Sequence, residues 1–167
     1  MQLKVPLNQG YLADVYTNKV SATRNKQPIV SFPIEIQAIP QNTKFLAVSL
    51  IDYDAVPRTG FPFIHWLATD IPIMTKIPTD FSRHFEGPQG QTSWMSRFYQ
   101  LNDSYFKNHY AGPNPPEQSH DYTLTLFALE ERLGLADSFY YNDFLKALTG
   151  NVLTQASSQI SVKSSLD

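Results

Sequence analysis

Cysteine is absent from the 167-residue chain, which excludes disulfides, thiolate metal sites and a thiol nucleophile. Positive charge is scarce and scattered: 13 Lys and Arg face 15 Asp and Glu, for a net charge of −2, and no basic stripe forms. Nucleic acid and anionic membrane surfaces both need a concentrated basic footprint, so neither is an expected partner. No window approaches the ~18 apolar residues of a membrane span. The opening residues Met1-Gln2-Leu3-Lys4-Val5-Pro6 also lack the unbroken apolar stretch of a signal peptide. A single domain over residues 1–167 is expected, cytoplasmic and without membrane insertion.

Aromatic residues are plentiful instead. Eleven Phe, nine Tyr and two Trp supply an ordered core. The first half reads as β. Ile29-Val30-Ser31-Phe32 and Ile34-Glu35-Ile36 flank Pro33, which suggests an edge or interrupted strand. Phe45 to Ile51 is a nearly continuous apolar run of strand length, as expected for a strand covered on both faces. Tyr122 to Leu129 mixes Thr with large apolar residues, again a strand pattern. Residues 78–108 are irregular, but Phe81, Phe85, Trp94, Phe98, Tyr99, Tyr105 and Phe106 give that stretch something to bury. After Asn142, a good helix cap, Phe144, Leu148, Val152 and Ala156 recur at four-residue steps. That spacing predicts a C-terminal helix running through Gly150. The expected fold is mainly β: an antiparallel, Greek-key-like β-sandwich with a C-terminal helix.

Chemistry-bearing residues gather at three strand edges. Asp52-Tyr53-Asp54-Ala55-Val56-Pro57 follows the first apolar run. Two residues apart in extended chain, Asp52 and Asp54 point the same way; the pair equally suits an ordinary turn. His65-Trp66 opens the next run, and Gly112-Pro113-Asn114-Pro115-Pro116 leads to His120-Asp121-Tyr122. His120 and Tyr122 share strand parity. In the proline turn, amides open to an anion come from Ala111, Gly112 and Asn114, because proline has no N–H. If the edges meet, carboxylates, imidazoles, a phenol and a glycine amide assemble a kit for a small anion. His84 and His109 have no companion pattern and read as structural.

At these residues the chain resembles the phosphatidylethanolamine-binding protein family, especially its bacterial branch, with the Raf kinase inhibitor protein as the animal relative. The family pattern Asp-Pro-Asp-x-Pro is similar to Asp52-Tyr53-Asp54-Ala55-Val56-Pro57. Its strand-opening His-Trp matches His65-Trp66, and its Gly-x-x-Pro-Pro turn followed by His-Arg-Tyr resembles Gly112 to Pro116 and His120 to Tyr122. A weaker match is Gln89-Gly90. The resemblance implies a β-sandwich whose pocket binds phosphate or a phosphorylated headgroup, with no cofactor. Asp52 would orient the imidazoles, His65 and His120 would contact the anion, and Gly112 would donate its N–H. Asp54 lies in the same motif, and Pro57, Pro113 and Tyr122 would shape the rim. The chain departs from the pattern at Tyr53, at the extra residue Val56 and at Asp121, which stands where the family has arginine. Asp121 is expected to set a negative charge beside the pocket.

Three functions are compatible with this kit. One is a binding protein for a small anionic or phosphorylated ligand. Another is a regulator of a kinase or protease partner, as in the resemblance. The third is an Asp/His hydrolase or divalent-metal enzyme using the same pocket.

Overall fold

The computed structural model describes residues 1–20, 22–99 and 101–166. The described strands are β1 (Gln2–Lys4), β2 (Leu7–Asn8), β3 (Tyr11–Leu12), β4 (Thr23–Arg24), β5 (Gln27–Pro28), β6 (Ile34–Gln37), β7 (Phe45–Asp52), β8 (Phe63–Pro72), β9 (Lys76–Ile77), β10 (His120–Leu129) and β11 (Val152–Val162). The helices are α1 (Val56–Thr59), α2 (Phe81–His84) and α3 (Tyr141–Leu148). The larger sheet has the order β2-β3-β11-β10-β7-β8, and a smaller one runs β1-β6-β9. The chain is mainly β, as expected. Among the described strands, β10 returns beside β7 after the β7–β8 hairpin.

The apolar run from Phe45 is the central strand β7, and every residue from Leu46 to Asp52 is buried. Both of its faces are covered. One side carries Leu46, Val48 and Leu50, which pack with Trp66, Leu124 and Leu126 against Ile34, Ile36 and Ile77 of the smaller sheet. The other side carries Ala47, which joins Leu67, Phe127 and Leu129 under Phe144 and Leu148 of α3.

β6 corrects the reading around Pro33. The strand begins at Ile34, directly after the proline, and lies between β1 and β9 rather than at an edge. Proline costs nothing there, because it precedes the first residue that needs a ladder N–H. The aromatic stretch after Pro78 is packed, with Phe106 fully buried, although Phe98 is exposed.

The C-terminal helix is half the expected length. α3 ends at Leu148, and Gly150 takes a left-handed φ of +81° just beyond it, a conformation glycine adopts freely at a helix end. Val152 and Ala156 belong to β11, which pairs along β10 from Leu129 to His120. A four-residue step keeps one face in a strand as well as in a helix, since four is twice the strand period. The apolar spacing therefore could not separate the two.

Phe144 stacks on Phe139 at 5.8 Å and meets Phe127 edge-on at 5.7 Å, and it is fully buried. Phe144→Ala should cost about 3–5 kcal/mol. A urea unfolding curve measures this, and an unchanged midpoint would contradict the docking of α3 on β7 and β10.

Candidate functional site

The register of β7 and β8 slips beside the second strand edge. Leu50 pairs with Trp66, but Ile51 pairs with Ile64, which leaves His65 as the extra residue of a β-bulge. The bulge reverses strand parity, so Phe63 opposes Asp52 while Trp66 opposes Leu50. Phe63, His65 and Trp66 thus reach the same side of the sheet. The His65 ring sits 4.7 Å from Phe63 and 5.0 Å from Tyr122, centroid to centroid.

Freed from the ladder, the His65 backbone binds the proline turn. Ala111 N–H donates to the His65 carbonyl at 2.9 Å, and His65 Nδ1–H donates to the Ala111 carbonyl at 2.7 Å. A carbonyl only accepts, so the neutral ring carries its proton on Nδ1 and leaves Nε2 a bare acceptor. Burial pushes the His65 pKa down to about 4 against the smaller opposing pull of Asp52. The ring is neutral at pH 7.

Asp52 ends β7 and has two tasks. Its Oδ1 accepts the Ala55 N–H at 3.1 Å, fixing the turn into α1 as aspartate commonly does. Its Oδ2 accepts from His120 Nδ1 at 2.8 Å, and both side chains are buried. Asp52 thus serves the turn with one oxygen and the His120 ring with the other. Tyr122 pairs across from Asp52, and burial raises its phenol pKa well above the ordinary value.

These groups line a cavity of about 300 Å³ with Gln27, Arg58, Thr59, Trp94, Tyr99 and Asn114. Its walls are aromatic on several sides, with Trp94 meeting Phe63 and Tyr99 edge-on at 5.0 Å each.

Of the residues singled out in the sequence, Asp52, His65, His120 and Tyr122 meet in this cavity. Asp54 and Pro57 do not; they line a neighbouring hollow of about 320 Å³ that shares His120, Arg58 and Pro116 with the first. The Asp54 carboxylate accepts the Asp121 N–H at 2.9 Å, so it braces β10. Gly112 and Pro113 are buried outside the lining. The Gly112 N–H, expected to face an anion, instead donates to the Pro28 carbonyl at 2.7 Å. Packing explains the glycine: a Cβ there would sit 2.6 Å from Pro28 Cβ. Asp121 is also corrected. It faces the opposite side of β10 from His120 and Tyr122 and accepts from Ser161 Oγ, so its charge stays out of the cavity.

A family model described as phosphatidylethanolamine-binding protein matches residues 4–163. The chain belongs to that family. It is 37% identical over 155 residues to the uncharacterized protein YxkA of Bacillus subtilis, covering 90% of this chain and 92% of that one. The crystal structure of the Escherichia coli family member YbcL superposes with a TM-score of 0.73 at 21% identity, covering 97% of each chain. The homologue CT736 from Chlamydia trachomatis gives 0.74 at 18% identity, covering 97% of this chain and 96% of that one. At such identities these two structures share the fold.

Within this phosphatidylethanolamine-binding protein frame, Gln89 serves the core. Its Oε1 accepts from Trp66 Nε1 at 2.9 Å and from Ser82 Oγ at 2.6 Å, which anchors β8 beside the bulge. The sequence reading missed Arg58, Trp94 and Tyr99 as cavity walls. Arg58 lies four residues after Asp54, within one turn of the motif, and that proximity was the available signal. Trp94 and Tyr99 come from a loop whose path the sequence does not indicate.

Stability should record the His65 environment. Unfolded, the ring ionises near the ordinary ~6.5; folded, it resists until about 4. As pH falls through that window the unfolded state takes the proton first, so this contribution is full above ~6.5 and declines toward 4. The loss is on the order of 3 kcal/mol. Urea unfolding at stepped pH measures it. His65→Gln should remove that part of the slope, and a slope unchanged in the variant would contradict the burial of His65.

Proposed function

We propose that this chain is a binding protein whose cavity takes phosphate or a phosphorylated small-molecule headgroup. The observation that carries this reading is the buried Asp52–His120 pair facing His65 in one cavity with the Arg58 guanidinium. A protonated His120 is balanced by Asp52 and turns an Nε2–H toward an anion. Among the described residues, the one ion pair Arg58 holds is an exposed one with Glu117, at 2.7 Å, which is worth little and is readily exchanged for a ligand. Phe63, Trp94, Tyr99 and Tyr122 offer apolar surface to whatever the phosphate is attached to.

Magnitudes support an anchor rather than a tight site. About three charge-assisted hydrogen bonds at ~1.5–3 kcal/mol each, less an association cost of at least ~4 kcal/mol, leave inorganic phosphate at roughly millimolar to high-micromolar affinity. The organic part of the ligand supplies the rest.

The hydrolase alternative needs an activated nucleophile. Thr59 is the aliphatic hydroxyl in the lining, and its Oγ1 donates to the Ala55 and Phe61 carbonyls at 2.9 and 2.6 Å, away from either imidazole. Among the described residues no group of three or more His, Asp and Glu is arranged to hold a metal ion. Binding is therefore the better-supported role. Modulation of a kinase or protease partner is implied by the family resemblance alone. Among the described residues no helix is long and apolar enough to cross a membrane.

Titrating inorganic phosphate while observing the imidazole nitrogens by NMR should give saturable shifts at His65 and His120. His120→Ala and His65→Ala should each abolish detectable binding with the backbone spectrum intact. Affinity unchanged from the parent protein in both variants would refute the site.

A further inference from the structure

We propose that the cavity admits a phosphate group in the form that carries its own proton, a P–O–H that donates to the bare Nε2 of His65. The inference deepens the phosphate-binding reading and rests on it. It comes from what each lining group can offer: Trp94 Nε1–H has no partner among the described residues and the Tyr99 and Tyr122 phenols keep their hydrogens, whereas His65 Nε2 has only a lone pair.

The backbone gives none at the turn where an anion was expected to find them. Ala111 N–H is held by the His65 carbonyl and Gly112 N–H by the Pro28 carbonyl. Asn114 N–H is turned to the Tyr122 hydroxyl. The Thr59 hydroxyl is held by two carbonyls. His65 is locked as the Nδ1–H tautomer by Ala111, so Nδ1 cannot give up its proton to Nε2 without losing that bond. A fully ionised oxyanion placed against Nε2 would set lone pair against lone pair. A protonated oxygen there makes a hydrogen bond, and the remaining phosphate oxygens accept from Arg58 and from His120.

The titratable and charged groups facing His65 are Asp52 on β7, Arg58 on α1, Tyr99 in the aromatic loop, and His120 and Tyr122 on β10. The phenols of Tyr99 and Tyr122 are both shifted upward by burial, so they stay protonated throughout the range of the test. Sulfate keeps its two negative charges and carries no proton between pH 6 and pH 8, so its own pH dependence records any change in the charge of the cavity. Comparing two oxyanions of similar size therefore isolates the ligand's own proton.

Sulfate provides that comparison, being tetrahedral like phosphate but without a proton. A site that recognised charge alone would prefer the sulfate dianion to the phosphate monoanion that prevails near pH 6. Calorimetric titration of the full chain with inorganic phosphate, methyl phosphate and sulfate at about pH 6 should show both phosphates binding about 10- to 100-fold more tightly than sulfate, the factor expected when one buried acceptor is left unpaired. The phosphate-to-sulfate ratio should shrink at about pH 8, where phosphate has lost its second proton. It should also approach one in His65→Gln, whose amide can offer an N–H. Equal binding of sulfate and phosphate, or a ratio insensitive to pH, would overturn the inference and leave the phosphate-binding reading standing. An unaltered ratio in His65→Gln would overturn the assignment to His65. No binding of any of the three would overturn that reading and the inference with it.

Discussion

The two-point backbone clamp between His65 and Ala111 is the constraint on which the site depends. Without the bulge, His65 and Trp66 would alternate across the sheet, and one of the two would be lost from the side that faces Asp52 and Tyr122. With the bulge, the His65 carbonyl is released from the ladder and takes the Ala111 amide, while the ring takes the Ala111 carbonyl. One residue thus brings the proline-rich turn against β8, fixes the tautomer and closes one wall of the cavity. Gln89 holds the neighbouring Trp66 from the other side, so the bulge is supported by the core.

Burial gives this clamp its chemical meaning. His65 and His120 lie close together, but their surroundings differ. His65 is enclosed by Phe63 and Tyr122 and bonded to a neutral carbonyl, so charging it is costly. His120 is bonded to a carboxylate, so a charge there is balanced. The pair presents an acceptor on one side and a potential cationic donor on the other. That asymmetry suits a group such as hydrogen phosphate, which both gives and receives hydrogen bonds.

Much of this could be read from the sequence, and what could not has identifiable causes. The strand β7 was legible because its apolar run is continuous and its burial two-sided. Asp52, His65, His120 and Tyr122 were legible because each sits at a strand end in a recognisable motif. β11 was mistaken for helix because its apolar residues fall at a step common to both periods, and Gly150, read as lying inside the helix, sits just past its end. Gly112 was assigned an anion contact from the family resemblance and because the neighbouring prolines have no N–H; the partner its N–H meets is Pro28, more than eighty residues earlier in the chain. Asp54 and Asp121 were weighed for charge, yet outside the cavity Asp54 accepts the Asp121 N–H and Asp121 accepts from Ser161 Oγ. Pairings between distant segments decided these cases, and spacing within a segment carries no information about them.

A crystal structure of the protein grown with a phosphate monoester would test the central claim most directly. The account predicts the phosphate in the cavity bounded by Asp52, His65, His120 and Arg58, with oxygens within hydrogen-bond distance of both imidazole Nε2 atoms. A monoester bound elsewhere, or a cavity left empty at saturating ligand, would contradict it.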